Sequence, residues 1–293
     1  MSSGPSRRAF VSGAAAVVVS TAAGGAVQQP RLTARQLADR IRERAGVPWR
    51  EKTIDGFKAG DPETVVSGVA TTASATLPVL RRAVEAGLNL IVTPEPVFYT
   101  ANDDPGNRAT DAVYLAKKAF IDQHRLVVWR FSDHWHARRP SDAVTALADA
   151  LGWTAHRAAG DDDIYQIPST TLGAIAALAP KRLAVRGGLR TVGPAAMPVL
   201  RVVISPGTTD LPGTVARLQR ADVILAGEPR EWEAVPYVLD MRTAGQQKGM
   251  IALGRLVSEE PGVRACAAWI KSLASDLRVE AIPAGDPYWS PAA

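Results

Sequence analysis

The sequence predicts an α/β fold with a mainly parallel sheet flanked by helices. Short runs of Val, Ile and Leu alternate with amphipathic stretches of helical length, and strands separated by helices of this length form strand–helix–strand crossovers. No close repeat or low-complexity segment links the two halves, at about 31–156 and 182–293, so both belong to a single predicted α/β domain of residues 31–293 built from two βαβ-type halves.

Residues 65–73 (VVSGVATTA) form the first predicted strand. A helix follows, with Thr76 as its N-cap, Leu77, Leu80 and Val84 on one face, and Gly87 just past its end. Residues 88–92 (LNLIV) return as a strand, 111–124 as a helix and 125–131 (RLVVWRF) as a strand. Ser141 is placed to cap the next helix, which carries Val144, Leu147 and Leu151. The second half repeats this rhythm. Strands are expected at 200–205, 222–227, 249–254 and 278–284, with helices at 212–219, 231–245 and 259–275. Residues 180–190 (PKRLAVRGGLR) read as a solvated connection, with Gly187-Gly188 as a turn.

Composition narrows the function. At 293 residues, 46% apolar and 22% charged, the chain can fill a substantial core. The single cysteine, Cys266, excludes an internal disulfide framework and a Cys-rich metal site, so any metal must be held by His, Asp and Glu. There is no Gly-x-Ser-x-Gly elbow, and Gly187-Gly188 lacks dinucleotide-loop spacing. His124 and His156 read as surface or core-edge residues, and Trp129, Trp153 and Trp269 as packing residues.

Residues 1–26 resemble a twin-arginine export signal. Ser6, Arg7, Arg8, Ala9, Phe10 and Val11 precede a weakly hydrophobic, Ala-rich stretch with a small-residue end near Gly24, Gly25 and Ala26. The stretch is shorter than the roughly 20 residues a span needs. The expectation is cleavage near Ala26, no stable membrane span, and a periplasmic or extracellular mature chain. Loss of Arg7 and Arg8 leaves 32 basic against 29 acidic residues, near +3, too weak a charge to imply nucleic acid.

Ligands of such sheets bind outside the carboxyl ends of the strands. Four predicted strands end in ionisable groups there: Pro94-Glu95-Pro96; Ser132-Asp133-His134-Trp135-His136; Glu228; and Arg255 with Glu259 and Glu260. One loop carboxylate alone is a surface feature or a helix cap. Four converging strand ends make a candidate site.

Three of these segments, in order and with the right elements between them, resemble the dinuclear-metal-centre family related to NGG-interacting factor three, also labelled GTP cyclohydrolase I type 2-like. The likeness runs from about Asp55 to Tyr288. It implies an α/β fold in a toroidal homohexamer, with a pair of divalent ions (zinc, iron or manganese) on the inner side of each subunit and hydrolase-like chemistry on an unknown substrate. Carried over by position, the candidate metal remnants are Glu95, Asp133, His136 and Glu259, with Pro94, His134, Glu228 and Arg255 lining the site. The resemblance also marks departures: family ligand histidines fall on Pro94 and Arg255, and a further histidine falls on Ser132. A two-metal site sets its ions roughly 3.5–4 Å apart and needs several anionic or imidazole ligands. Proline has only a carbonyl to give, and a guanidinium cannot ligate. The expectation is therefore weak or single-ion binding, with Arg255 reaching the acids, in a metal-dependent relative that has lost ligands or in a non-catalytic oligomeric binding or scaffold protein.

Overall fold

The computed structural model describes residues 32–291 together with Met1 and Gly4; the twin-arginine-like segment otherwise lies outside the described residues. In chain order, α1 (Ala34–Arg44) precedes β1 (Gly56–Ala59) and β2 (Val69–Thr71). Then α2 (Leu77–Glu85) leads to β3 (Leu90–Thr93), α3 (Ala112–Gln123) to β4 (Val127–Arg130), and the short α4 (Asp133–Ala137) to α5 (Asp142–Leu151). β5 (Ile164–Thr171), α6 (Leu172–Arg182), β6 (Arg190–Val192), β7 (Pro198–Thr209) and α7 (Leu211–Leu218) follow. The chain ends with β8 (Val223–Pro229), α8 (Glu231–Thr243), β9 (Gly249–Ala252), α9 (Arg255–Leu273) and β10 (Val279–Ala281).

The strands form two five-stranded sheets, ordered β1-β4-β3-β2-β10 and β5-β7-β8-β9-β6. The pairings at the centre of each sheet are parallel. β1 on β4, β5 on β7 and β6 on β9 are antiparallel edges. The mainly parallel α/β class is thus observed, with one topological difference: β10, from the far C-terminus, lies parallel to β2 in the first sheet. The chain crosses back, so the halves of the sequence are not the two sheets.

Both faces of each sheet are covered, which is why the central strands read as unbroken apolar runs. In β3, Leu90 and Val92 join the core shared with α1 and α9, while the intervening Ile91 faces Val79, Leu80 and Ile121 of α2 and α3. The period-two alternation places neighbours on opposite sides of the sheet. The second sheet is packed in the same way, with Leu147 and Leu151 of α5 on one face and Val238 and Met241 of α8 on the other. α9 contributes to cores on both sheets, Val257 to one and Cys266 and Ile270 to the other. Burial pushes the Cys266 thiol pKa up, so it packs as an apolar group.

The predicted cap at Ser141 is present, its hydroxyl accepting from the Val144 N–H. Thr76 occupies its N-cap position without a side-chain bond. The strand expected over 65–73 shrinks to β2, because Ser67 is turned into contacts with Asn89 and Gly87. The connection read over 180–190 starts inside α6, which continues through Pro180 to Arg182.

The loop after β3 is fastened from below. Arg130 of β4 donates from Nε to the Pro94 carbonyl (3.1 Å) and from Nη1 to Asp103 Oδ2 (2.9 Å). Asp103 Oδ1 in turn accepts the Phe98 N–H (3.0 Å), and buried Lys117 of α3 donates to the Val97 carbonyl. Arg130 and Asp103 are both buried, so losing one leaves the other charge without its partner. Asp103→Ala is expected to cost about 3–5 kcal/mol in urea unfolding; a loss below about 1 kcal/mol, the size of an ordinary substitution, would show that this clamp does not hold the loop.

Candidate functional site

Parallel pairing brings the carboxyl ends of β3 and β4 to one edge of the first sheet, and those of β8 and β9 to one edge of the second. Glu95 follows β3, Ser132 and α4 follow β4, Glu228 closes β8, and Arg255 opens α9 directly after β9. These groups meet. Arg255 donates Nε to Glu95 Oε1 (2.7 Å) and places Nη2 at 2.6 Å from Glu95 Oε2, a two-pronged guanidinium–carboxylate pair, while Nη1 reaches Glu228 Oε2 at 3.1 Å. The arginine therefore bridges a carboxylate from each sheet.

His136 forms the second pair. Ser132 and His136 sit four residues apart, and α4 stacks them on one face. The His136 ring lies with Nδ1 2.8 Å from the Ser132 carbonyl and Nε2 3.1 Å from Oε1 of the buried Glu259. Burial works against the imidazolium, but the Glu259 carboxylate and the Ser132 carbonyl outweigh it, raising the His136 pKa to about 9. Burial raises the Glu95 pKa, and Arg255 partly offsets this.

Sequence reasoning missed the backbone beneath Glu259. Ser258 Oγ accepts the Gly207 N–H (3.0 Å) and donates to the Arg255 carbonyl (2.7 Å), tying the β7 bulge to the start of α9. A Cβ on Gly227 would lie 2.4 Å from the Gly207 carbonyl oxygen, so only glycine lets β8 pass there. Also missed were Asp161, Asp162 and Asp163, with Arg139, Arg217 and Arg220, which line the far wall of the same open cleft of about 570 Å³. The three aspartates form a visible acidic run, but nothing local in the sequence places that run opposite Arg217 and Arg220 in the cleft.

Two predicted members of the site are corrected. Asp133 turns away, its Oδ2 accepting from Thr53 Oγ1 (2.8 Å) and the Ile54 N–H (3.2 Å), with Arg50 at 3.6 Å. His134 is fully buried, with Nδ1 at 2.7 Å from Asp55 Oδ2, Nε2 accepting the Arg50 N–H (2.9 Å), and its ring stacked 3.6 Å from that of Trp49. The cause is α4: one helical turn puts Ser132 and His136 toward the cleft and rotates Asp133 and His134 toward the segment carrying Trp49 to Asp55. Asp55 completes the arrangement by accepting the Ser132, Asp133 and His134 N–H groups at the start of that turn. Of the other residues read from the sequence, Trp129 and Trp153 are buried packing residues, as expected, and Trp269 stacks on Phe131.

Among the described residues, no three His, Cys, Asp or Glu side chains are grouped to hold an ion. Glu95 is occupied by Arg255, His136 by Glu259, and the Pro94 carbonyl by Arg130.

Over residues 33–287 the sequence matches the model of the Duf34/NIF3 (NGG1p interacting factor 3) family. The chain belongs to that family. The NIF3 fold recurs in solved structures at low identity. A hypothetical protein of Staphylococcus aureus superposes with a TM-score of 0.70 at 17% identity, covering 88% of this chain and 99% of that one. A Bacillus cereus protein related to NIF3 gives 0.69 at 14%, covering 89% and 100%. A Thermus thermophilus protein gives 0.59 at 16%, covering 87% and 96%. No curated protein matches the chain.

The His136–Glu259 pair has a pH signature. A histidine whose folded-state pKa is raised from 6.5 to about 9 contributes stability that is complete below about pH 6.5 and is lost as pH rises through about 9. The melting-temperature gap between wild type and His136→Gln is expected to narrow from about pH 6 to about pH 10. A gap that stays constant or widens over that range would show that the pair is not charged as described.

Proposed function

We propose that this NIF3 family member is a metal-independent binding protein, in which the Arg255 guanidinium takes the place of a bound cation between the carboxylates of the cleft. One observation carries the reading: Arg255 holds Glu95 in a two-pronged pair and bonds Glu228 as well. At an effective dielectric constant of about 20, two unit charges 4 Å apart interact by about 4 kcal/mol, so this arginine alone would oppose a divalent ion at that distance by about 8 kcal/mol, offsetting much of the attraction that the neighbouring carboxylates would give it. Arginine cannot relieve that by losing its proton. Glu95, His136 and Glu259 nevertheless remain together in the cleft, which favours descent from a metal-dependent, hydrolase-like centre as the second reading.

Metal analysis of protein purified without chelator separates the two readings. Wild type is expected to carry well below one equivalent of zinc, iron or manganese, and Pro94→His with Arg255→His is expected to raise that content. Two equivalents in the wild type would make the hydrolase-like reading the better one.

The reading includes export and self-assembly. The paired arginines ahead of the Ala-rich stretch support a twin-arginine route, and the family resemblance supports a homohexamer. Among the described residues, no helix is long and apolar enough to cross a membrane. Cells expressing the full chain are expected to release a product shortened near Ala26 outside the cytoplasm, and light scattering on that product should read six copies. An unprocessed chain in the cytoplasm, or a monomer at micromolar concentration, would count against the corresponding half.

A further inference from the structure

The chain beyond β10 is fastened differently from the rest of the fold. Its last backbone-to-backbone bond runs from the Ile282 N–H to the Thr71 carbonyl (2.8 Å), and among the described residues none follows it. Side chains hold what comes after. Arg82 Nη2 donates to the Pro283 carbonyl (2.6 Å), and Glu260 Oε1 accepts the Ala284 N–H (2.6 Å) and the Gly285 N–H (3.3 Å). Asp286 Oδ2 accepts the N–H groups of Arg186 and Gly187, both at 2.8 Å, and its Oδ1 accepts the Tyr288 N–H (3.0 Å). Ser290 Oγ donates to the Gly187 carbonyl at 2.9 Å.

Within residues 283–290 only Asp286 is buried, at 8% exposure, whereas Tyr288 is 69% and Trp289 70% exposed. The segment is thus anchored by a carboxylate and by no buried apolar side chain of its own. Burial works against that carboxylate, but the N–H groups of Gly187, Arg186 and Tyr288 outweigh it and hold the Asp286 pKa below the usual range. The receiving turn is made for the segment: a Cβ on Gly187 would collide with the Tyr288 Cβ, and Gly188 takes a φ of +79°.

The packing around the segment is open. Asp286 lines three cavities: one of about 560 Å³ beside Arg255, one of about 280 Å³ toward Gly188 and Trp289, and one of about 240 Å³ between α9 and the end of α6. Arg255 lines the cleft as well as the 560 Å³ cavity, which therefore offers a second approach to the arginine. Few buried apolar contacts and no ladder bonds are the properties of a part that opens without global unfolding.

We propose that residues 283–290 form a strap, hinged after Ile282 and latched by Asp286 on the Gly187-Gly188 turn, which lifts as one unit and uncovers the first turns of α9 and the approach to Arg255. Lifting breaks no strand pairing. It costs the bonds that Arg82, Glu260, Asp286 and Ser290 make to backbone groups, and water can replace each of these once the strap is free. Asp286 contributes three of them, so it is the latch.

Hydrogen exchange on the full-length protein tests the unit. The amides of Ala284 and Gly285 decide, because their acceptor is Glu260 and Asp286→Ala does not touch it. They are expected to exchange at least about tenfold faster in Asp286→Ala, the size of one charge-assisted hydrogen bond, together with those of Arg186, Gly187 and Tyr288, while the amides of β8 keep their wild-type rates. Access is read with a thiol under the strap. Val257 is 5% exposed and lines both the 560 Å³ and the 240 Å³ cavities, so Val257→Cys places a thiol there, and wild type, with only the buried Cys266, is the unreactive control. Maleimide labelling of Val257→Cys is expected to run at least about tenfold faster when Asp286→Ala is added, and faster also with Gly187→Ala, which pushes the strap off and leaves Asp286 in place. Faster exchange confined to Arg186, Gly187 and Tyr288 would make Asp286 a local brace and overturn the inference. So would an equal acceleration of the β8 amides, or a labelling rate that neither variant changes.

Discussion

One guanidinium joins the two sheets at their carboxyl ends. Arg255 grows from the end of the second sheet and holds Glu95, which grows from the end of the first, while keeping Glu228 of its own sheet within reach. Everything that defines the cleft converges on that contact: the parallel pairing that aligns the strand ends, the Arg130–Asp103 clamp that steadies the Glu95 loop, and the Ser258 bridge that sets the first turn of α9. Glu95 and Glu259 are buried acids, and each is tolerable only because a cation faces it.

The helix that carries Arg255 explains how two sheets act as one site. α9 starts at the cleft, supplies Glu259 one turn later, and then runs on to pack Cys266 and Ile270 into the core of the first sheet. A shift of α9 would therefore move Arg255, Glu259 and both cores together. α5 supports the same arrangement: a Cβ on Gly262 of α9 would come within 3.0 Å of the Ala143 side chain, so the two helices touch almost backbone to backbone.

Much of this was legible in the residues. LNLIV announced a buried strand because its apolar run needs a cover on both faces, and the alternation of runs and amphipathic stretches led to the α/β class now shared with solved NIF3-type structures. The pairing of Arg255 with acids followed from its chemistry at a position where the family resemblance leads one to expect an imidazole. Less visible were the short edge strands β1 and β6, whose few residues give too little period to register, and α4, whose Asp-His-Trp-His run looks in sequence like a row of equal ligands.

The sequence by itself determined the elements of the centre and the residue types that end them, because apolar periodicity and side-chain chemistry are local properties. Tertiary structure alone decided which of those groups meet. One turn of helix separated His136 from Asp133 and His134, since side-chain direction depends on rotation about the helix axis. The return of β10 to the first sheet, the wall of Asp161, Asp162 and Asp163, and the seating of the C-terminal aromatics on Gly187 all join residues far apart in the chain. Contacts of that kind arise from packing, and no stretch of sequence read alone contains them.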